Sequence, residues 1–417
     1  MRNLFDQYSQ PENRFTHALL TALNEDRKLL NAFLRELVKL TPPVSAARLS
    51  IFEQRFPGEE EPRDEEELER RGIPDGWICD EDDWCVFIET KVMAAVRRTQ
   101  IERHRRTAER RGFRSITALV ITAVDAQALP PGTVHVRWST IYTWLHKRAA
   151  TSAWAARTAD YLEIAEARLI ERRQFVEGTL TTFAGFPFSH DHPFTYLEGK
   201  RLLGLALEAL RARSDLRKKL RMNPKVEGRG AITGRQGDLV WDYLSLSNAA
   251  DAKNFTKYPH LTLGVTSSQI EAMVTFPHRI NTATRQRVRA MGEEGFREVV
   301  QAVVREFAPL VRKHKGIAPW FRGVQRRYPT QRSTPILDAR IDFDLRTAIP
   351  AGGPPKTQPV WLSAAYSAFA NKAGSNYQIL IGALLRYDRC PELQEPGAID
   401  LIARSWLACK PFVEIAE

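Results

Sequence analysis

The run Trp84-Cys85-Val86-Phe87-Ile88 is apolar at every position and ends abruptly in Glu89-Thr90-Lys91. A short continuous apolar run of this kind reads as a strand buried on both faces, and here it carries its charges out to the rim of a sheet. Side chains alternate along a strand, so Glu89 and Lys91 share one face. Upstream, beyond a polar turn at Asp80 to Asp83, Pro74-Asp75-Gly76 opens a second strand-like segment, Trp77-Ile78-Cys79. Two carboxylates and an ammonium thereby converge. Carboxylate oxygens are hard ligands suited to a divalent cation. A metal beside a lysine is one means of hydrolysing a phosphodiester. The bland alternative is a surface-turn acid and an ordinary strand-end Glu/Lys pair. It leaves unexplained why a buried strand delivers both residues to its end.

Periodicity and stop signals place the flanking elements. Ser9-Gln10-Pro11-Glu12 reads as a helix start, with a capping serine, a proline in the first turn and Glu12 completing an S-x-x-E box. That helix is expected to reach about Asn24, followed by a second from Asp26 to Leu40 and a strand from Ala47 to Phe56. Glu12, Phe15, Leu19 and Leu23 fall on one helical stripe. Glu12 is therefore either a plain capping residue or an inward acid, which is costly unless paired or near a metal. The acid-packed stretch Glu59 to Glu69 reads as solvated connection. Val96 to Arg111 reads as a helix, Ser115 to Val124 and Val134 to Trp138 as strands, and Ile141 to Ile170 as mostly helical. The β-α-β step is expected to pair its strands in parallel through a right-handed crossover. Gln100 and His104 lie one turn apart on the middle helix. Gln100 is the preferred site candidate; for His104 a role in binding phosphate or assisting a proton step competes with the expectation that it faces solvent on a polar helix. The same helix carries Arg97, Arg98, Arg103, Arg105, Arg106, Arg110 and Arg111 against only Glu102 and Glu109. Such an excess suits a phosphate backbone, with Arg97, Arg98 and Arg105 as the chosen contacts. A solvated face, or docking onto the acidic stretch, competes with that reading.

These residues resemble the PD-(D/E)XK nuclease superfamily, with some RecB-like features. Pro74-Asp75 matches the first half-motif and Glu89-Thr90-Lys91 the second, within residues 10–145. The resemblance implies a restriction-endonuclease-like α/β core, α-β-β-β-α-β, in a domain spanning residues 1–178. It implies that Asp75 and Glu89, with a backbone carbonyl near Glu89-Thr90, bind Mg2+ or Mn2+. It makes Glu12 an extra metal ligand, Lys91 the residue that orients water or stabilises charge at phosphorus, and Gln100 a neighbour of the site. RecB-like members follow that glutamine with a tyrosine one turn on. His104 stands there instead, which departs from the subfamily pattern.

Near Leu180 to Phe188 the texture turns to aromatic, Gly and Pro, and residues 179–417 read as a separate α+β domain. The net charge of +11 belongs to that part: residues 1–180 hold 27 Lys+Arg against 28 Asp+Glu, and residues 181–417 hold 34 against 22. A basic half beside a neutral one suggests that one part grips a polyanion while the other does chemistry. A basic surface with no partner is the alternative. Between Trp320 and Tyr328, Arg322, Arg326 and Arg327 interleave with aromatics. That mixture grips phosphates and stacks bases, or it covers apolar surface with arginine stems. Arg229 and Arg235 sit in a Gly/Arg-rich loop, Glu227 to Gly237. His190-Asp191-His192 reads as polar loop, and Asp338, Asp342 and Asp344 read as members of ion pairs. Cysteines 79, 85, 390 and 409 form no CxxC pair, so their spacing indicates neither a zinc site nor a disulfide framework.

The longest apolar stretch falls far short of the ~20 residues a membrane-spanning helix needs. The beginning of the chain shows no signal peptide. The expectation is a cytoplasmic protein without a membrane partner. Its expected function is that of a metal-dependent endonuclease acting on nucleic acid. DNA and a prokaryotic restriction or anti-phage role follow from the resemblance. The chain has no GxxxxGK[ST] loop, so a sensor or motor protein is the expected partner, and a homo-oligomeric state is left open. The alternatives are an inactive nuclease-fold protein serving as a nucleic-acid-binding or scaffold subunit, and an RNA-directed nuclease.

Overall fold

The structure is a computed structural model that describes residues 5, 8, 10–56, 73–92, 95–124, 126, 129–171, 179–226, 228, 238–330, 335–348, 359–371 and 376–416. Ser9, the acidic stretch with its flanks (57–72) and the Gly/Arg loop from 229 to 237 lie outside the described residues, and so do the readings made on them. The chain divides into two compact units, Met1–Thr182 and Phe183–Glu417.

The first unit opens with helices α1 (Pro11–Glu25) and α2 (Arg27–Phe33). Asp26 separates them because its carboxylate accepts the backbone N–H groups of Lys28 and Leu29, capping α2. A five-stranded sheet follows, in the spatial order β1 (Ser50–Glu53), β2 (Gly76–Cys79), β3 (Trp84–Lys91), β4 (Ser115–Thr122) and β5 (Thr133–Arg137). The first three strands form an antiparallel meander. Helix α3 (Arg98–Arg110) then connects β3 to β4, which run parallel, as do β4 and β5. The expected helix over 141–170 is two helices, α4 (Trp138–His146) and α5 (Ala153–Glu171). Ser152 interrupts them: its Oγ accepts the Ala155 N–H at 3.1 Å and donates to Asp26 Oδ2 at 2.6 Å.

The pleat of β3 sorts the core into two layers. Val86 and Ile88 join Phe15, Leu19, Leu23, Trp138 and Ile141 on one side of the sheet. Cys85 and Phe87 join Trp77, Ile101, Ala108 and Phe113 on the other. Every residue from Trp84 to Thr90 is buried, which explains why the strand shows no apolar-polar alternation. Gly76 serves the first layer in another way. A Cβ there would lie 2.5 Å from Leu20 Cδ1, so the missing side chain lets α1 approach β2 closely.

The second unit is built on a six-stranded antiparallel sheet ordered β10-β9-β11-β8-β7-β6: β6 (Leu239–Ser245), β7 (His260–Thr266), β8 (Gln269–Pro277), β9 (Ile317–Arg327), β10 (Ile336–Asp344) and β11 (Asn376–Arg386). Its helices include α6 (Tyr196–Arg211), α7 (Ser214–Leu220), α8 (Thr282–Lys313), α9 (Pro359–Ala370) and α10 (Ala398–Leu407). Leu203, Phe296, Phe307, Phe369 and Trp406 from the helices share one core with Val274, Phe276, Phe321 and Ile381 from the sheet. Gly292 breaks α8 with a φ of 67°, a conformation that favours glycine. The Trp320 to Tyr328 stretch, read as a basic aromatic patch, is mostly the strand β9. Tyr377 to Leu385, which the sequence alone reads as helical or mixed, is instead part of the strand β11, flanked on both sides in the sheet. The four cysteines are free and buried. Among the described residues no helix is long and apolar enough to cross a membrane.

Candidate active site

The antiparallel register pairs Gly76 with Ile88. Asp75, one residue before the paired stretch, thereby comes to the end of β3 beside Glu89 and Thr90. Side-chain alternation along β3 then fixes the surroundings of each residue at its end. Glu89 continues the Cys85–Phe87 side, toward α3. Thr90 continues the Val86–Ile88 side, toward α1.

Glu89 is 1% exposed and is held by three donors. Gln100 Nε2 donates to its Oε1 at 2.6 Å, Lys91 Nζ lies 2.6 Å from the same oxygen, and His104 Nε2 donates to Oε2 at 3.1 Å. His104 is fully buried, with its ring edge-on to Phe87 at 6.0 Å. The expectation that it faces solvent is therefore corrected. Ile101, His104 and Ala108 form the buried stripe of α3, and Gln100 lies beside it. That spacing was visible in the sequence. It was masked because the immediate neighbours of His104 along the helix are arginines.

Asp75 is engaged from the other layer. Its Oδ2 accepts the Thr90 N–H at 2.7 Å and the Thr90 hydroxyl at 2.9 Å. Thr90 Oγ1 is also 2.8 Å from Thr16 Oγ1 on α1. One turn earlier on α1, Glu12 Oε1 accepts the Val92 N–H at 3.3 Å, just beyond the end of β3. The N-cap position of α1 is Gln10, with no side-chain capping bond. Glu12 is thus brought to the rim of the site, where Phe15 and Leu19 below it enter the core. Thr16 and Thr90 were not foreseen as members, because a threonine in a helix and one in a strand carry no motif.

The electrostatics are unbalanced. Burial and the neighbouring Glu89 charge push the Asp75 carboxyl up to about 7, against the pull of Lys91 and the Thr90 donors. Burial also works against an ionised Glu89, but the His104 bond and the Lys91 charge hold it below its ordinary value. Burial opposes the charge on Lys91, and Glu89, Asp75 and Glu12 together still hold it above the usual range. Among the described residues Lys91 faces Asp75, Glu89 and Glu12, and Asp75 is the carboxyl whose proton affinity rises. A hard divalent cation would counter these carboxylates. Asp75 is partly exposed, and both of its described hydrogen bonds fall on Oδ2, leaving Oδ1 to a ligand. Asp75 and Glu12 thus offer donor oxygens of the type such an ion takes, whereas both Glu89 oxygens are engaged by Gln100, Lys91 and His104.

The arginines divide into separate groups. On α3 and at its N-cap, Arg97, Arg98, Arg103, Arg106 and Arg110 point away from the core. Arg98 is paired with Glu102 at 2.7 Å, and Arg105 reaches toward the Gly132 carbonyl at 3.5 Å. Arg111 lies over the Phe56 ring at 3.8 Å. In the second unit, Arg322 is half-buried between Glu271 and Asp342, at 3.2 and 2.9 Å. Its guanidinium is committed to acids of its own sheet and not to an open phosphate-binding face. Arg327 is exposed and pairs with Asp338 at 3.0 Å, while Arg326 is partly exposed on the same strand. Comparison of the chain with protein-family models and with curated proteins finds no match.

Proposed function

We propose that the first unit is a metal-dependent phosphodiesterase of the PD-(D/E)XK type that cuts nucleic acid, with DNA as the favoured substrate. The observation that carries this reading is the convergence of Asp75, Glu89 and Lys91 at one sheet rim, with the Asp75 carboxyl pushed up to about 7 by burial and the Glu89 charge. The order helix, three-strand meander, helix, strand also supports it. Asp75 and Glu89, with Glu12 beside them, would hold Mg2+ or Mn2+, which would supply Lewis acidity at the phosphate and acidify a bound water. The chain's own groups do the rest. Lys91, kept charged by its carboxylate neighbours, stabilises negative charge that develops on phosphoryl oxygens. Gln100 and His104 hold the Glu89 carboxylate in one orientation, and Thr90 does the same for Asp75. Arg97, Arg98 and Arg105 position the phosphate backbone without reading sequence. A place in restriction or anti-phage defence, beside a sensor or motor partner, follows from the family reading.

The test is cleavage. Supercoiled plasmid, single-stranded DNA and RNA are incubated with the full chain and Mg2+ or Mn2+, next to Asp75→Ala and Lys91→Ala. The wild type should cut DNA only with a divalent ion, and either variant should lose at least ~100-fold in rate. No cutting of any substrate in either metal, or equal cutting by the variants, rejects the proposal. Cutting of RNA alone moves the substrate to RNA.

A further inference from the structure

A second constellation lies wholly in the second unit and shares no residue with the candidate active site. His314 follows the last turn of α8, its N–H bonded to the Leu310 carbonyl at 2.8 Å. Cys390 and Glu392 lie on the turn after β11, where Leu393 N–H closes onto the Cys390 carbonyl at 3.0 Å. A ring nitrogen of His314, Sγ of Cys390 and a carboxylate oxygen of Glu392 all lie within 4.8 Å of one another. His314 Nδ1 is 3.0 Å from Glu392 Oε1.

We infer that His314, Cys390 and Glu392 form a Zn2+ site that ties the end of α8 to the turn after β11. Nitrogen, sulfur and oxygen are the three donor types that tetrahedral zinc takes, and its ligand atoms stand roughly 3–4 Å apart. The spacing observed is already close to that. A thiolate among the donors favours zinc over the magnesium-like ions. A second observation points the same way. His314 is 7% exposed, and its Nε2 is buried with no hydrogen-bond partner among the described residues. A buried polar atom left unmatched in a folded protein calls for an explanation, and an ion at the ring is one. Cys390 is fully buried, and burial with the nearby Glu392 charge pushes its thiol up to about 11. Zinc binds the thiolate, so loading it displaces the thiol proton. Glu392 is partly exposed, so the ion is reached from its side, where water completes the coordination. The residue spacing gave no sign of this, because His314 and Glu392 are 78 positions apart and no CxxC marks them.

The full-length chain, stripped with a chelator and freed of it, is titrated with Zn2+ in competition with a chromophoric chelator, and separately with Co2+ followed by absorbance. At least one Zn2+ should bind per chain, and Co2+ should give a thiolate charge-transfer band in the near ultraviolet. Cys390→Ser should abolish the band. Glu392→Gln, at a partly exposed position, should weaken Zn2+ binding by at least ~10-fold. Asp75→Asn in the first unit should leave the band unchanged. Sub-stoichiometric zinc, a band that survives Cys390→Ser, or unchanged affinity in Glu392→Gln overturns the inference. If Cys390→Ser fails to fold, the stoichiometry and Glu392→Gln decide it.

Discussion

Two buried charge clusters, one in each unit, follow opposite arithmetic. Around Asp342 in the second unit, Arg322 and Arg340 face Asp342 and Glu271, and Trp320 Nε1 adds a 2.7 Å bond. Cations and anions match. Burial would raise the Asp342 carboxyl, but bonds from Arg340, Trp320 and Arg322 hold it below its ordinary value. In the first unit Lys91 faces Asp75, Glu89 and Glu12 together, and Asp75 rises to about 7. The contrast separates a cluster whose described charges match from one whose described residues hold more carboxylates than ammonium groups. Ion pairing alone does not mark function; a carboxyl perturbed by burial and a charged neighbour is a candidate for it.

Removing the cation from the matched cluster should do most damage. Arg322→Met leaves Asp342 and Glu271 with fewer partners and should cost about 2–4 kcal/mol, somewhat under a fully buried pair because solvent reaches it. Denaturant melts of the full chain measure this. Nucleic-acid affinity should stay the same, and a loss of affinity without loss of stability would return Arg322 to a binding face.

At the unmatched cluster, His104→Ala should slow cutting by about 10–100-fold, the usual range for a residue that holds a metal ligand. The missing donor raises the Glu89 pKa, so the acid limb of the rate-versus-pH curve should move upward, and His104→Gln should restore part of the rate. An unmoved limb would reduce His104 to core packing.

Asp75→Asn should make the apo protein more stable at alkaline pH. The folded carboxyl at about 7 holds its proton while the unfolded one, near 3.8, has released it. Stability therefore falls as pH rises from about 4 to about 7, and the penalty is complete above that. In metal-free buffer the variant should gain on the order of 1–3 kcal/mol at pH 8 and almost nothing at pH 3. Thermal melts at the two pH values read the difference, and equal gains would mean that the upward shift of Asp75 is absent.

The smallest effect belongs to the surface. Neutralising Arg97, Arg98 and Arg105 should flatten the salt dependence of DNA binding by roughly 0.9 in slope for each phosphate that the chain no longer neutralises. An unchanged slope places these arginines against solvent.

Much of the first unit was legible because its signals are local. The apolar run of β3, the glycine after Asp75 and the arginine-laden α3 each announce their element, and pleat periodicity alone puts Glu89 with Lys91. The burial of His104 against Glu89 was not legible. Its direction depends on which side of the sheet α3 packs, and Ile101 and Ala108 settle that only through tertiary packing. The same limit hid β9 and β11. In β9, Phe321 enters the core while Trp320 and Arg322 occupy the opposite side with acids from neighbouring strands, so a two-faced strand reads as a mixed basic patch. In β11 an apolar run with a central position in the sheet lacks the polar alternation that distinguishes a strand from a buried helix. The three residues of the proposed zinc site meet only because a helix end and a distant turn are packed together.

The alternation at the end of β3 has a consequence for how such a centre can change over generations. Consecutive residues there answer to different helices: Glu89 to Gln100 and His104 on α3, Thr90 to Thr16 on α1. Variation on α3 can retune the basicity of one carboxylate while the grip on Asp75 stays as it was, and variation on α1 can do the reverse. The centre is a joint with two separate adjusting screws, and drift on one helix need not be matched by drift on the other.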